Sequence, residues 1–304
     1  MESFHIFKRK ETWMVRSMNS VERYVFSHKL SFFLIVFLFF PYFTVIIFNG
    51  IHTALVNRAF DVEMILPVAA AMQIDEKYET ETVKAQTVIA RSNLYRKIKD
   101  EDGFSDTLYE LRSEFLETGS WKKLLDFCYE KAAADTEGKV LLYKNMWKQI
   151  PYHQISAGRT REGEEVFHDK EHSYLQSVES SQDKESGEFL TGIYINENYL
   201  PEKLVIKERD SAGYVTELLA DDKIVEGEAF RKGLGLVSAN FTIQKIGDQM
   251  RFLCKGKGHG LGFSQYGGNE MAKDGKNYEE ILNVYFPEME LLDVKEIENM
   301  DEFD

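Results

Sequence analysis

One histidine in this chain stands between two glycines, within the stretch 256–286, GKGHGLGFSQYGGNEMAKDGKNYEEILNVYF. Six glycines precede position 270 and surround His259, Ser264, Gln265 and Tyr266. Glycine loses more backbone freedom on folding than any other residue, so this density predicts tight turns and a close approach of backbone to another group. A plain glycine-rich loop followed by a surface helix has the same composition. Acid chemistry has its own candidate. Breaking a sugar bond needs one carboxyl group held partly protonated by burial. Glu81 borders an apolar run and is the best-placed carboxylate, although the same position suits a carboxylate that merely favours the exposed amides of a helix start. His168 and His172 are four apart and would share a helix face, with His153 nearby in sequence. That is a thin basis for zinc, and surface histidines in a polar turn are the plainer reading. The chain has no P-loop, no GxGxxG in a strand–helix context, no HExxH and no GxSxG. No cofactor and no metal are therefore expected.

The elements that must position these groups fall into two textures. Residues 62–72 are apolar and predict a buried helix start. Residues 82–97, TVKAQTVIARSNLYRK, place Val83, Val88, Leu94 and Tyr95 at helical spacing, with Ala85 and Ala90 as small packing positions and Arg91 among them. Residues 101–138 are highly charged and read as one or two helices with an exposed side. Residues 139–150 read as a short amphipathic helix, and 151–167 as a loop carrying His153, Ser156, Gly158, Arg159 and Thr160. Residues 183–188 read as a polar linker. Beyond it, 189–195, 203–209, 215–219 and 241–254 are short β-rich runs separated by Gly, Asp and Ser. Residues 227–238 interrupt them with a compact helix or turn. The last 18 residues hold eight acids and read as a solvated tail.

The chain has 304 residues and a net charge of −14, from 37 Lys and Arg against 51 Asp and Glu. That balance argues against nucleic acid as a partner. Cys128 and Cys254 are the two cysteines, enough for one bond and too few for a disulfide framework. Residues 31–48, SFFLIVFLFFPYFTVIIF, carry no charge, and with Leu30 they approach the length of a spanning helix. The basic residues that precede them place that end in the cytoplasm. The expected fold class is therefore α+β: helices and β-strands in one extracytoplasmic region behind a single N-terminal transmembrane helix. The expected boundaries are a cytoplasmic tail at 1–29, the transmembrane helix at 30–48, a linker at 49–60, the extracytoplasmic domain at 61–287 and an acidic tail at 288–304. The expected location is the cell membrane, single-pass, with the membrane as a partner.

The stretch 256–286 resembles the signature of the stage II sporulation protein D family, which includes the amidase enhancers. Gly258-His259-Gly260, Ser264-Gln265-Tyr266-Gly267, Met271-Ala272, Gly275, Tyr278, Ile281-Leu282 and Tyr285 carry the likeness. Three further blocks agree in order: ETVKAQTVIAR at 81–91; Ser156 to Thr160 with Tyr174-Leu175 and Ser177-Val178; and Gly227 with Arg231, Leu234-Gly235-Leu236 and Ser238. The resemblance implies an extracytoplasmic protein acting on peptidoglycan glycan strands together with a cell-wall amidase. It implies a lytic transglycosylase that cuts between N-acetylmuramic acid and N-acetylglucosamine, on strands stripped of stem peptides, during septal thinning and engulfment in sporulation. In that reaction one Glu serves as acid and then base, and the sugar's own hydroxyl attacks to give a 1,6-anhydro product.

One position departs from the pattern. The family places a Glu-Met-Pro turn eight residues before the Glu that opens its EALKAQ-like block, and counting back from Glu81 gives Gln73-Ile74-Asp75. An amide cannot donate and retrieve a proton as a carboxylic acid can. The resemblance thus implies either Glu81 as the catalytic residue, with Glu76 and Glu79 as further, less favoured candidates, or a non-catalytic glycan-binding module that recruits or activates an amidase. The expected site is a groove in which Gln73, Arg91, Ser156, Arg159, Thr160, His259, Ser264, Gln265 and Tyr266 bind the strand beside Glu81.

Overall fold

The computed structural model describes residues 62–100, 107–113 and 127–297. Its central element is the 21-residue helix Thr80–Asp100, here α2. This helix is buried on almost every side over 82–92, because Ala85, Ala90 and Ser92 let its neighbours approach closely. Helix α1 (Val62–Gln73) and helix α3 (Cys128–Asp135) pack on it, as does strand β1 (Lys139–Leu142). Arg91 staples this helical end together. Its guanidinium is fully buried and meets Glu63 of α1 twice, at 2.6 and 2.9 Å, and it also donates to Thr136 Oγ1 and to the carbonyls of Ala133 and Lys139.

The strands form small sheets. β1 pairs antiparallel with β10 (Glu290–Asp293). The two-residue strands β2 (Tyr152–His153) and β9 (Phe263–Ser264) pair in parallel. A three-stranded antiparallel sheet runs in the order β3 (Leu190–Asn196), β8 (Gln249–Lys255), β7 (Phe241–Ile246), and a second in the order β4 (Leu204–Arg209), β5 (Val215–Ala220), β6 (Lys223–Glu226). Between the residues of these two sheets lies one apolar cluster in which Phe230, Phe241 and Phe252 meet at 5.7 to 5.9 Å between ring centres. Phe230 comes from helix α5 (Gly227–Leu234), which follows the short helix α4 (Gly163–Phe167) in the chain. Helices α6 (Gln265–Lys273) and α7 (Tyr278–Tyr285) close the fold against α2.

Several expectations change. Residues 139–142 form a strand rather than part of an amphipathic helix; Val140, Leu141 and Leu142 are all buried, so no polar face exists. The acidic tail contributes β10, because its Leu291 and Leu292 register against Leu141 and Val140. The run 183–188 is no linker: a 3₁₀ turn spans Ser181–Glu185 and Asp183 is fully buried. Cys128 and Cys254 are both free thiols.

The transmembrane helix expected at 30–48 lies outside the described residues, as do the cytoplasmic tail and the linker. Among the described residues no helix is long and apolar enough to cross a membrane. α2 alone approaches the required ~20 residues, and it carries Glu81, Lys84, Arg91, Arg96, Lys97, Lys99 and Asp100 along its length. The fold class is corrected to a mixed α+β domain. The membrane anchor, the membrane as a partner and a single-pass cell-membrane location therefore find no supporting helix among the described residues.

Candidate functional site

The glycine-rich segment is threaded between two other strands of chain. On one side it pairs with residues 151–161: Ile155 and Lys257 exchange backbone hydrogen bonds at 3.0 and 2.7 Å, Phe263 N–H donates to Pro151 and Arg161 N–H to Gly260. On the other, Gly258 N–H donates to the Val237 carbonyl at 2.8 Å. Close packing demands glycine here. A Cβ on Gly258, where φ is +118°, would stand 2.7 Å from the Cβ of His153.

Behind this segment lies a cavity of about 540 Å³. Gln73 and Gln265 form one wall, with the buried Gln86 behind them. Gln265 Nε2 donates to the Gln73 carbonyl at 2.8 Å and to Gln86 Oε1 at 3.0 Å, and Gln86 Nε2 donates to Gln73 Oε1 at 2.8 Å. A carbonyl can only accept, so this chain of bonds orients all three amides. Gln73 Oε1 is turned inward and its NH₂ is left for the cavity. Gln73 and Gln265 both line that space.

Two histidines form the next wall, joined through the backbone of one residue, Leu261. The Leu261 carbonyl accepts from His153 Nδ1 at 2.9 Å, and the Leu261 N–H donates to His259 Nδ1 at 3.1 Å. The two neutral rings are thereby held in opposite tautomers. Their centres are 5.7 Å apart. His153 is 4% exposed and its Nε2 has no hydrogen-bond partner among the described residues. Burial, and then the neighbouring His259, push its pKa down to about 3. Burial also lowers the pKa of His259, with Glu228 opposing. Arg231, Lys232 and Lys257 add positive charge to the lining, and among the described residues no carboxylate lines it.

Gln73, His259 and Gln265 thus come together in this lining. The other expected residues lie elsewhere. Glu81 does not line the cavity; its Oε1 pairs with Lys84 at 2.9 Å and its Oε2 accepts the N–H of Tyr278, capping α7 at 2.9 Å. Arg91 has its donors spent in the helical staple. Ser156 and Ser264 both turn to the buried Asp183, which accepts the Ser156 N–H and the Ser264 hydroxyl at 2.9 Å. Burial raises the Asp183 pKa, with these bonds opposing. Thr160 is tied to residues 176–178 through its hydroxyl, and Arg159 is exposed, bridged by its backbone to Glu179. Tyr266 is half-buried outside the cavity lining. His168 ends α4 in a left-handed conformation, and His172 pairs with Asp169 at 2.7 Å, so the two do not share a helix face. Among the described residues no group of three His, Cys, Asp or Glu could hold a metal ion.

Sequence reasoning passed over His153 as a lining residue, and it missed Gln86 and the three cations. The only local signal for His153 was its place beside the Ser156 to Thr160 block. The cations come from 231–232 and 257, and only the pairing of Gly258 with Val237 brings them together.

An α+β domain whose glycine-rich segment walls a cavity of amides, imidazoles and cations is the class that fold and site define. Residues 52–143 match the family described as SpoIID, Stage II sporulation protein. The chain is 28% identical over 255 residues to stage II sporulation protein D of Bacillus subtilis (strain 168), covering 74% of this chain and 72% of that relative. It is 29% identical over 248 residues to stage II sporulation protein D of Bacillus amyloliquefaciens, covering 72% and 70%. Over these spans the chain is similar to the stage II sporulation protein D family.

Proposed function

We propose that this protein binds peptidoglycan glycan strands in the cavity behind its glycine-rich segment and holds them without cutting, as a module that recruits or activates a cell-wall amidase. The observation that carries this reading is that, among the described residues, no carboxylate lines the cavity, with Gln73 held by Gln86 and Gln265. General acid catalysis of glycoside cleavage needs a carboxyl group within hydrogen-bond reach of the leaving oxygen. Gln73 offers instead a fixed amide donor, suited to a sugar oxygen. His259 and Gln265 supply further polar edges, and Tyr152 an aromatic one.

The strand-cutting reading, a lytic transglycosylase acting in septal thinning and engulfment with Glu81 as acid, has one observation in its favour. The Glu81 side chain remains 30% exposed. Against it stand the ion pair and the helix cap that occupy both carboxylate oxygens. The test is to incubate the protein with glycan strands stripped of stem peptides, then measure co-sedimentation and search the supernatant for fragments ending in 1,6-anhydro-N-acetylmuramic acid. Co-sedimentation without product is the expected result. Anhydro product released by the unaltered protein would establish the cutting reading instead, and failure to sediment with strands would remove both.

A further inference from the structure

We infer that strand β3 is an interface and that its partner is a second copy of this chain, paired antiparallel about a two-fold axis at Ile193. β3 is an edge strand of its sheet, with β8 on one side only. An open strand edge is a template for further pairing, and proteins normally blunt it with charge, bulges or shortness. The other three edges of the two three-stranded sheets carry such devices. β7 has Lys245; β6 is four residues long, with Lys223 and Glu226 at its ends; β4 has Lys207, Glu208 and Arg209, with register shifts on either side of Glu208. β3 has none of them. It runs seven residues, LTGIYIN, without charge or proline, and its register with β8 is unbroken from Leu190 opposite Lys255 to Asn196 opposite Gln249.

Backbone direction decides what this edge offers. Just beyond the ends of β3, the Phe189 carbonyl accepts from Gly256 N–H at 2.8 Å and Glu197 N–H donates to the Asp248 carbonyl at 3.0 Å. Direction alternates along a strand, so Thr191, Ile193 and Ile195 also turn their backbone groups to β8. Leu190, Gly192, Tyr194 and Asn196 turn theirs outward, and among the described residues nothing takes those bonds. Ile193 and Ile195 pack against the cluster of Phe230, Phe241 and Phe252, whereas Leu190 and Tyr194 are 55% and 52% exposed. A second copy fits this edge. An antiparallel partner must set outward-facing residues opposite one another. With the axis at Ile193, Leu190 faces the partner's Asn196 and Gly192 faces the partner's Tyr194, and all seven residues are matched. Moving the axis to Gly192 or Tyr194 leaves residues unmatched. Tyr194 then lies opposite the one residue of the strand without a side chain, a pairing in which the ring covers an edge glycine. Each copy carries a net charge of −14, which opposes association through a charged face, but an uncharged strand sets no like charges opposite. A strand pair is smaller than a standard interface, so the association is weak and reversible.

The experiment follows amide hydrogen exchange in the full chain, residue by residue, at two concentrations. With a Kd of about 10 μM, roughly 85% of chains are single at about 1 μM and roughly 20% at about 100 μM. Exchange at Leu190, Gly192, Tyr194 and Asn196 should therefore slow roughly fourfold at the higher concentration, while Ile193 and Ile195, already bonded to β8, change less. Tyr194→Pro deletes an outward donor that the β3–β8 ladder does not use, at a position where an edge strand tolerates proline. Tyr194→Lys keeps the backbone and puts a charge on each copy. In either variant the remaining outward amides should exchange at the single-chain rate at both concentrations, with Ile193 and Ile195 still protected. Equal rates at both concentrations in the unaltered protein would overturn the inference. Fast rates would mean an open edge or association through another surface, and slow ones a segment of the same chain lying over the edge. A slowing that both variants retain would overturn it too.

Discussion

Acidification should destabilise this protein through His153. The ring is buried, its Nδ1–H is fixed on the Leu261 carbonyl, and its Nε2 faces no partner among the described residues. Its pKa is down at about 3, against 6.5 for a free histidine. Between those values the unfolded chain binds a proton that the folded one refuses. Stability is therefore full above pH 6.5 and is lost as pH falls from there towards 3. Working the linkage through, acidification from about pH 7 to about pH 5 should cost about 2 kcal/mol through this one group. The limit at still lower pH is about 5 kcal/mol. His153→Asn keeps a donor for the Leu261 carbonyl and removes the titration. Its absolute stability is not the readout; its pH slope is. Urea unfolding of both proteins at the two pH values should show the wild type losing about 2 kcal/mol more than the variant. His259 shifts in the same direction but is present in both proteins. Parallel losses would refute the reasoning, since a buried neutral histidine could not then be the acid-sensitive group.

Three further substitutions separate structural roles from ligand contact. Arg91→Met should destabilise the fold by about 3 kcal/mol or more in urea unfolding, because it removes the buried guanidinium and its bonds to Glu63, Thr136, Ala133 and Lys139, while leaving glycan affinity unchanged well below the transition. Glu81→Gln should cost about 1 kcal/mol, the scale of a helix-cap contact, with strand binding unaltered in co-sedimentation. Gly267→Ala would place a Cβ 2.2 Å from both Ser180 Oγ and Tyr285 Oη, and thermal unfolding should show a loss of about 1–3 kcal/mol from the forced shift.

The parts of this fold that were legible in the sequence are those whose neighbours along the chain decide them. α2 announces itself by spacing, and the strand-rich half by short runs of β-formers between turn residues. The glycine-rich segment was recognisable as a place of close approach, and Gly258 against His153 shows why. Burial on both faces hid β1, since a short, wholly apolar run carries no period. The acids around Leu291 and Leu292 hid β10. Hydroxyls were the least legible. Ser156, Thr160 and Ser264 look suited to a ligand, yet each is spent inside the protein, two of them on Asp183, whose burial within a polar run no local pattern reveals. The amide wall depends on Gln73, Gln86 and Gln265 meeting from three helices, and that is a property of tertiary packing alone.

Gln73 is the place to test the function directly. Gln73→Glu would keep one oxygen as the acceptor for Gln86 and put the other in the cavity in place of an amide. Stripped glycan strands incubated with the wild type should remain uncut, and the same strands incubated with Gln73→Glu should release fragments ending in 1,6-anhydro-N-acetylmuramic acid. Release of those products by the wild type would contradict the reading that this protein holds glycan without cutting it.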